Sequence, residues 1–221
     1  VRRYREIAPL FDGIKDEDFD VYYMFREATE AEDLELYRQE GLRYDVTELL
    51  PVMIGDEFIK TAGHFHPQRE ESGQRWPELY QIVGGRALFI LQRSLGDGEL
   101  GVCAVHMGPG DVMLIPGDYG HVMTNVGNEA LVSANIVGSV FASDYSEYRE
   151  RRGAAVKCGM ADGVMFLRQN DAYSQVINIK ELTAMEFARE IGAEEFVQAV
   201  AEVGDLHEAF KRNPEAFRFL A

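Results

Sequence analysis

From about residue 43 to 140 the chain consists of short apolar runs separated by turn residues. The runs are YDVTELL, EFIKTAGHFH, ELYQIVGG, ALFILQ, LGVCAVHM, DVMLIP, HVMTNV and LVSANIVGSVF, with Gly, Pro, Asp and Asn between them. Many short β-rich segments at regular spacing predict a sandwich or a closed barrel. The flanks differ. DVYYMFRE (20–27) reads as a strand, and Thr29 with Glu32 forms a capping-box start for a short helix that Gly41 stops. Beyond the β region a second capping box, Thr183 with Glu186, opens a helix whose Phe187, Ile191 and Val200 fall near one face. Gly204-Asp205, with Glu208 three residues on, marks a stop and a fresh start, and Asn213-Pro214 opens a last turn. The expectation is an all-β core in residues 1–178 that includes an N-terminal strand–helix. Residues 179–221 form a C-terminal helical extension, read as packing or oligomer surface. A chain of 221 residues buries such a core without covalent staples.

With 22 Lys and Arg against 38 Asp and Glu, the formal net charge is −16. That charge repels nucleic acid and anionic membrane surfaces, so neither is expected as a partner. An anionic ligand would need local attraction from a metal ion, a nearby Lys or Arg, or backbone N–H groups. No run of 18 apolar residues is present to span a membrane. Cys103 and Cys158 form no CxxC pattern, which excludes a disulfide framework and a zinc ribbon. They read as plain buried side chains in a reducing, cytoplasmic setting.

The chemistry concentrates in TAGHFHPQREESGQRWPELYQIVGG (61–85). On a strand, residues i and i+2 share a face, so His64 and His66 point together and Phe65 points away. One inward histidine is usually a satisfied core residue; two between Gly63 and Pro67 point toward a metal, since neutral imidazole is the commonest protein ligand. HxH alone is weak evidence. Glu78 opens the next run, sharing a face with Tyr80, and residues 67–77 form the connecting loop, either a solvated hairpin tip or a lid. A second block, GPGDVMLIPGDYGHVMTNVG (108–127), holds Gly110, Pro116, Gly120, His121 and Asn125. Its spacing gives one short strand, a tight turn and a return strand that starts with His121 facing inward. Three imidazoles and one carboxylate from neighbouring strands suit one divalent ion, Fe²⁺, Zn²⁺, Mn²⁺ or Ni²⁺, with positions left open for a ligand. His106 and His207 lie outside both blocks and read as surface residues.

These two blocks resemble the paired motifs of the cupins, G…HxH…E…G followed by G, five residues, P, then H and N. Gly110, Pro116, His121 and Asn125 match the second block, and Glu78 to Gly85 match the end of the first. Two departures stand out: eleven residues separate His66 from Glu78 where the general motif has three or four, and Asp118 replaces the usual glycine. Within that superfamily, GDEFIKTAGHFH, PELYQIVGGRALFILQ, PGDVMLIPGDYGHVMTNVG and SDY are similar to the archaeal-type glucose-6-phosphate isomerase family, over roughly residues 20 to 175.

The resemblance implies a cupin fold (a small β-barrel or jelly roll), a homodimer, one metal, and interconversion of glucose 6-phosphate and fructose 6-phosphate in glycolysis and gluconeogenesis. It implies metal ligands His64, His66, Glu78 and His121, with Glu78 as proton carrier or solely as ligand. Tyr80 and Tyr145 match positions that contact substrate. Thr47, Thr61 and Gly63 match phosphate donors, and Ser143 stands where some members carry a histidine. Strand alternation adds Lys60 on the face of His64 and His66, and puts Thr61 on the opposite face unless a bulge or turn intervenes near Gly63. The competing readings are a metal-dependent cupin dioxygenase and a sugar-binding cupin without turnover.

Overall fold

A computed structural model describes residues 1–70, 72–140 and 142–221. Glu71, in the expected loop 67–77, and Phe141, at the end of the last apolar run, lie outside the described residues. The strands are β1 (Arg2–Arg3), β2 (Asp20–Phe25), β3 (Leu42–Leu49), β4 (Met53–Ile54), β5 (Glu57–Phe58), β6 (Glu78–Gly84) and β7 (Ala87–Gly96). They continue with β8 (Glu99–Met107), β9 (Val112–Ile115), β10 (Gly120–Asn125), β11 (Leu131–Gly138), β12 (Val156–Ala161), β13 (Val164–Gln169) and β14 (Val176–Thr183). Helices are α1 (Tyr4–Ile7), α2 (Ala31–Gln39), α3 (Ser146–Glu150), α4 (Ala184–Glu190), α5 (Glu194–Val203) and α6 (Leu206–Arg212). None of these helices is long and apolar enough to cross a membrane.

Among the described residues three sheets form, in the orders β1-β2-β3-β11-β6-β9, β10-β7-β8-β14 and β13-β12-β5-β4. A mostly β core with a strand and a helix before it and helices after it is the architecture observed. Alternation decides what each strand offers to each side. From β6, Tyr80 and Ile82 enter the interior with Phe89, Met113 and Met123, whereas Leu79 joins Ala134 and Ile136 on the outer face. That outer face is covered by Val197, Val200, Leu206, Phe210, Phe217 and Leu220 from the C-terminal segment. Gln81 pins the covering helices: its amide donates to the Gly204 carbonyl at 3.1 Å and its oxygen accepts from Leu206 N–H at 2.8 Å. The opposite flank buries Leu88, Ile90 and Val122 against Tyr148, Val156 and Tyr173.

The tail's caps and stops fall where expected, but Phe187, Ile191 and Val200 do not share one helix face: α4 ends at Glu190, Ile191 is its C-cap and Val200 lies on α5. Thr183 and Glu186 make the capping box of α4, Gly204 ends α5 in the left-handed region, and the Asp205 side chain caps α6. The sequence boundary at 178/179 falls inside β14, which pairs in parallel with β8 from Val176 to Thr183. One start is displaced. Helix α2 is N-capped by Glu30 with no side-chain cap, so Thr29 and Glu32 do not close the expected box.

The run EFIKTAGHFH is not one strand either; only Glu57–Phe58 pairs regularly. Past it the chain follows β10 by separate contacts. Thr61 N–H donates to the Met123 carbonyl at 2.9 Å, and His64 and His121 exchange backbone bonds at 3.2 and 3.0 Å. Three steps along this segment therefore oppose two along β10, which is a bulge of one extra residue. Gly63, at φ +69°, absorbs it, and a Cβ there would lie 2.5 Å from Tyr148 Cδ1 and Val122 Cγ2. Gly63→Ala combines a strained φ with overpacking and should cost about 2 kcal/mol or more, read as a lower urea midpoint. An unchanged midpoint would show that the bulge tolerates a side chain.

Candidate metal centre

The bulge resets the side-chain parity of the segment that carries two of the candidate ligands. Thr61, His64 and His66 all face one cleft, which Ala62 also lines. Lys60 is turned the other way, correcting the inward orientation that simple alternation gives it. Its ammonium pairs with Glu57 and sits 4.2 Å from the centre of the Phe11 ring, buried on the far side of the segment. Gly63, expected as a phosphate donor, is not among the residues that line the cleft; its Cα side abuts Tyr148 and Val122. Thr47 on β3, Tyr80 on β6, Tyr145 before α3 and Ser143 line the same cleft.

At its floor His64, His66, Glu78 and His121 bring one ligand atom each to within 4.8 Å of one another. His66 Nε2 lies 3.1 Å from His64 Nε2 and 3.2 Å from Glu78 Oε2, and His121 Nε2 lies 3.3 Å from the same oxygen. Two neighbouring groups fix the orientations. The His66 Nδ1–H donates to the Trp76 carbonyl at 2.7 Å, and Asn135 Nδ2 donates to Glu78 Oε1 at 2.7 Å. With the His66 proton on Nδ1, its Nε2 presents a lone pair to a carboxylate oxygen. Two buried acceptors face each other, and Glu78 Oε2 and both ring nitrogens of His121 have no hydrogen-bond partner among the described residues. Buried polar atoms are rarely left this way, and a cation shared by all four groups satisfies them together. The donor set, N₃O with Nδ1 held by a carbonyl, fits a divalent first-row ion. His64 is less buried than the other three, which leaves the open side of the cluster toward the cleft.

Sequence reasoning missed several lining residues. Tyr22, Met24 and Arg26 alternate along the first predicted strand and its end, a pattern visible in DVYYMFRE, and all three reach the cleft. Arg26 and Arg43 both pair with Asp45, which is 1% exposed, placing two guanidinium groups at the rim of an otherwise acidic molecule. Asn135 had a signal too: with Ser133 it interrupts an apolar run at one parity. The Trp76 carbonyl had none, because a backbone acceptor leaves no mark in sequence. Asn125, a motif residue, ties the barrel through bonds to the Leu49 and Glu129 carbonyls at 3.0 and 2.8 Å.

Burial depresses His64 well below the ordinary imidazole value of 6.5, and the neighbouring His121 and His66 act in the same direction. Burial also lowers His121, against the pull of Glu78. For Glu78 burial opposes ionisation, but the adjacent His121 and His66 rings, when they carry a proton toward the carboxylate, outweigh it and hold the carboxyl well below 4.5. Tyr80 is pushed well above 10 by burial and by Glu78, so its hydroxyl stays protonated. In the metal-free chain the unfolded state therefore binds more protons than the folded state below about pH 6.5, and stability falls with pH there. Glu78 extends the loss below about 4.5 by the same sign. The urea midpoint of metal-free protein should decline as pH is lowered from about 7 to about 5. A flat midpoint across that window would contradict buried, neutral imidazoles.

The model of the family described as Glucose-6-phosphate isomerase (GPI) matches residues 2–175. The glucose-6-phosphate isomerase of Thermococcus kodakarensis is 31% identical over 119 residues, covering 53% of this chain and 58% of the relative. That of Thermococcus gammatolerans is 28% identical over 151 residues, covering 68% and 72%. The matched part thus spans somewhat over half the length of the first relative. Among solved structures, an oxalate oxidase in complex with the substrate analogue glycolate is 14% identical with a TM-score of 0.44, covering 63% of this chain and 62% of that one. The family match takes in well over half of the residues, and the chain belongs to the glucose-6-phosphate isomerase family.

Proposed function

We propose that the protein is a metal-dependent isomerase that interconverts glucose 6-phosphate and fructose 6-phosphate. The observation that carries this reading is the buried acceptor cluster of His64, His66, Glu78 and His121 at the floor of a cleft lined by hydroxyl donors. Moving hydrogen between C1 and C2 of an open-chain sugar is limited by the acidity of a C–H beside a carbonyl. A bound Fe²⁺, Zn²⁺, Mn²⁺ or Ni²⁺ supplies Lewis-acid polarisation of the sugar oxygens.

The chain's own residues do the rest. Glu78, ionised and steadied by Asn135, takes the proton from C2 of the aldose and returns it to C1 while the hydroxyl proton passes from O2 to O1, with the reverse path for the ketose. Tyr80, kept protonated, donates a hydrogen bond to a sugar oxygen in the cleft. Thr61 Oγ1 accepts the Met123 N–H at 3.0 Å, so its own hydrogen is directed elsewhere and serves the phosphate together with the Thr47 and Tyr145 hydroxyls. Gly63, packed against Tyr148 and Val122, does not line that end of the site. Lys60, paired with Glu57 behind the segment, takes no part in it. Arg26 and Arg43 supply the local positive charge that a dianionic ligand needs in a chain of net charge −16. The cleft's free volume is about 60 Å³, below the roughly 300 Å³ of a typical small-ligand site. The reading includes a cytoplasmic homodimer acting in glycolysis and gluconeogenesis.

Metal-reconstituted protein should convert fructose 6-phosphate to glucose 6-phosphate, lose turnover to a chelator and regain it on metal addition. Glu78→Gln should lower kcat by about 10²-fold or more. In D₂O the product should carry solvent deuterium on carbon, because a proton held on the carboxylate exchanges with solvent before it is returned. Chelator-insensitive turnover, or no turnover with any of the four metals, would defeat the reading. Product free of solvent deuterium would replace the carboxylate route with direct hydride transfer between the carbons.

A further inference from the structure

The last residues of the chain lie outside the family match, yet they reach the loop that joins two of the candidate ligands. Arg69 Nη2 donates to the Phe219 carbonyl at 2.9 Å, and the same guanidinium lies 4.4 Å from the centre of the Trp76 ring. The Trp76 ring occupies space that Gly138 leaves by having no Cβ; a Cβ there would stand 2.4 Å from Trp76 Cε3 and 3.3 Å from the Leu220 carbonyl oxygen. Phe217 and Leu220 are buried against the outer face of the barrel, which fixes the last turn of the chain. From the other side of the loop the Arg75 guanidinium donates to the His66 carbonyl. The Trp76 carbonyl then accepts the Nδ1–H of His66.

We infer that the C-terminal turn, residues 214–221, is a positioning element for His66: through Arg69 and Gly138 it seats Trp76, whose carbonyl holds the imidazole with Nε2 toward Glu78. This rests on the metal-site reading above. The need for such a device follows from loop length. Eleven residues separate His66 from Glu78, and the polar stretch between them folds back on itself through Arg69 N–H to the Gln74 carbonyl at 2.8 Å and Gly73 N–H to the Arg69 carbonyl at 2.9 Å. A hairpin held only by its own bonds moves as a body, and a ligand held by a carbonyl on it moves as well. Metal sites demand placement to about 0.5 Å, so the hairpin must be fixed to something rigid. The barrel's outer face, through the buried last turn, is that support. Arg69, Trp76, Gly138 and Phe219 act through His66 and are positioning residues.

The test uses the full chain and Co²⁺ as probe, with Arg69→Ala, Gly138→Ala and a chain ending at Arg218. Co²⁺ affinity is read from visible absorption, and the His66 tautomer of the metal-free protein from two-bond ¹⁵N–¹H spectra. Wild type should show a single Nδ1–H tautomer at His66. Each variant should bind Co²⁺ about tenfold more weakly or worse and show a mixture of tautomers, with far-UV circular dichroism unchanged. Arg69→Lys, which keeps a donor for the Phe219 carbonyl, should recover part of the loss. Arg69 is partly exposed, so its alanine variant decides the matter if either of the other two fails to fold. Wild-type affinity together with an unchanged tautomer in Arg69→Ala overturns the inference. If wild type takes up no Co²⁺, the metal reading fails, and the tautomer comparison alone decides whether the turn positions His66.

Discussion

Two acceptors that face each other out of water set the terms for this molecule. His66 Nε2 and Glu78 Oε2 stand 3.2 Å apart, both buried, with the imidazole proton committed to the Trp76 carbonyl on the other side of the ring. Left to themselves they repel, and each loses the water that would solvate it. A positive charge shared with their neighbours His64 and His121 would remove that repulsion. The cleft, the hydroxyls above it and the two guanidinium groups at its rim all take their meaning from that point.

The fold delivers the cluster by parity. Glu78 enters from β6 and His121 from β10, strands in separate sheets whose inner faces share the core. His64 and His66 would not join them with Thr61 if the segment were a plain strand. The extra residue at Gly63 moves Thr61 onto the histidine side and sends Lys60 to the opposite one. A single bulge thus joins the hydroxyl end of the cleft to its metal end, and it separates the one lysine of the segment from both.

Much of this was legible in the sequence because it rests on period-two alternation and on turn residues. Glu78 with Tyr80, and His121 after the Pro116–Gly120 turn, follow from local pattern, as do the tail caps at Thr183, Gly204 and Asp205. The conflict between Lys60, Thr61 and the histidines was visible as well, and it pointed to an irregularity at Gly63. Its direction was not, since alternation cannot say which side of a bulge keeps its face. The start of α2 was misplaced because Thr29 and Glu32 satisfy the capping pattern without Thr29 adopting the cap position. Least legible were the contacts made by backbone, such as the Trp76 carbonyl on His66 and the Phe219 carbonyl on Arg69. Main-chain acceptors exist at every position, so only the assembled structure distinguishes the ones that matter.

X-ray absorption at the zinc edge of Zn²⁺-loaded protein reads this centre directly. Only nitrogen and oxygen scatterers at about 2.0–2.1 Å should appear, with the outer-shell pattern of three imidazole rings. A sulfur scatterer near 2.3 Å, or a spectrum without imidazole rings, would show that the ion sits elsewhere and that His64, His66, Glu78 and His121 do not share one.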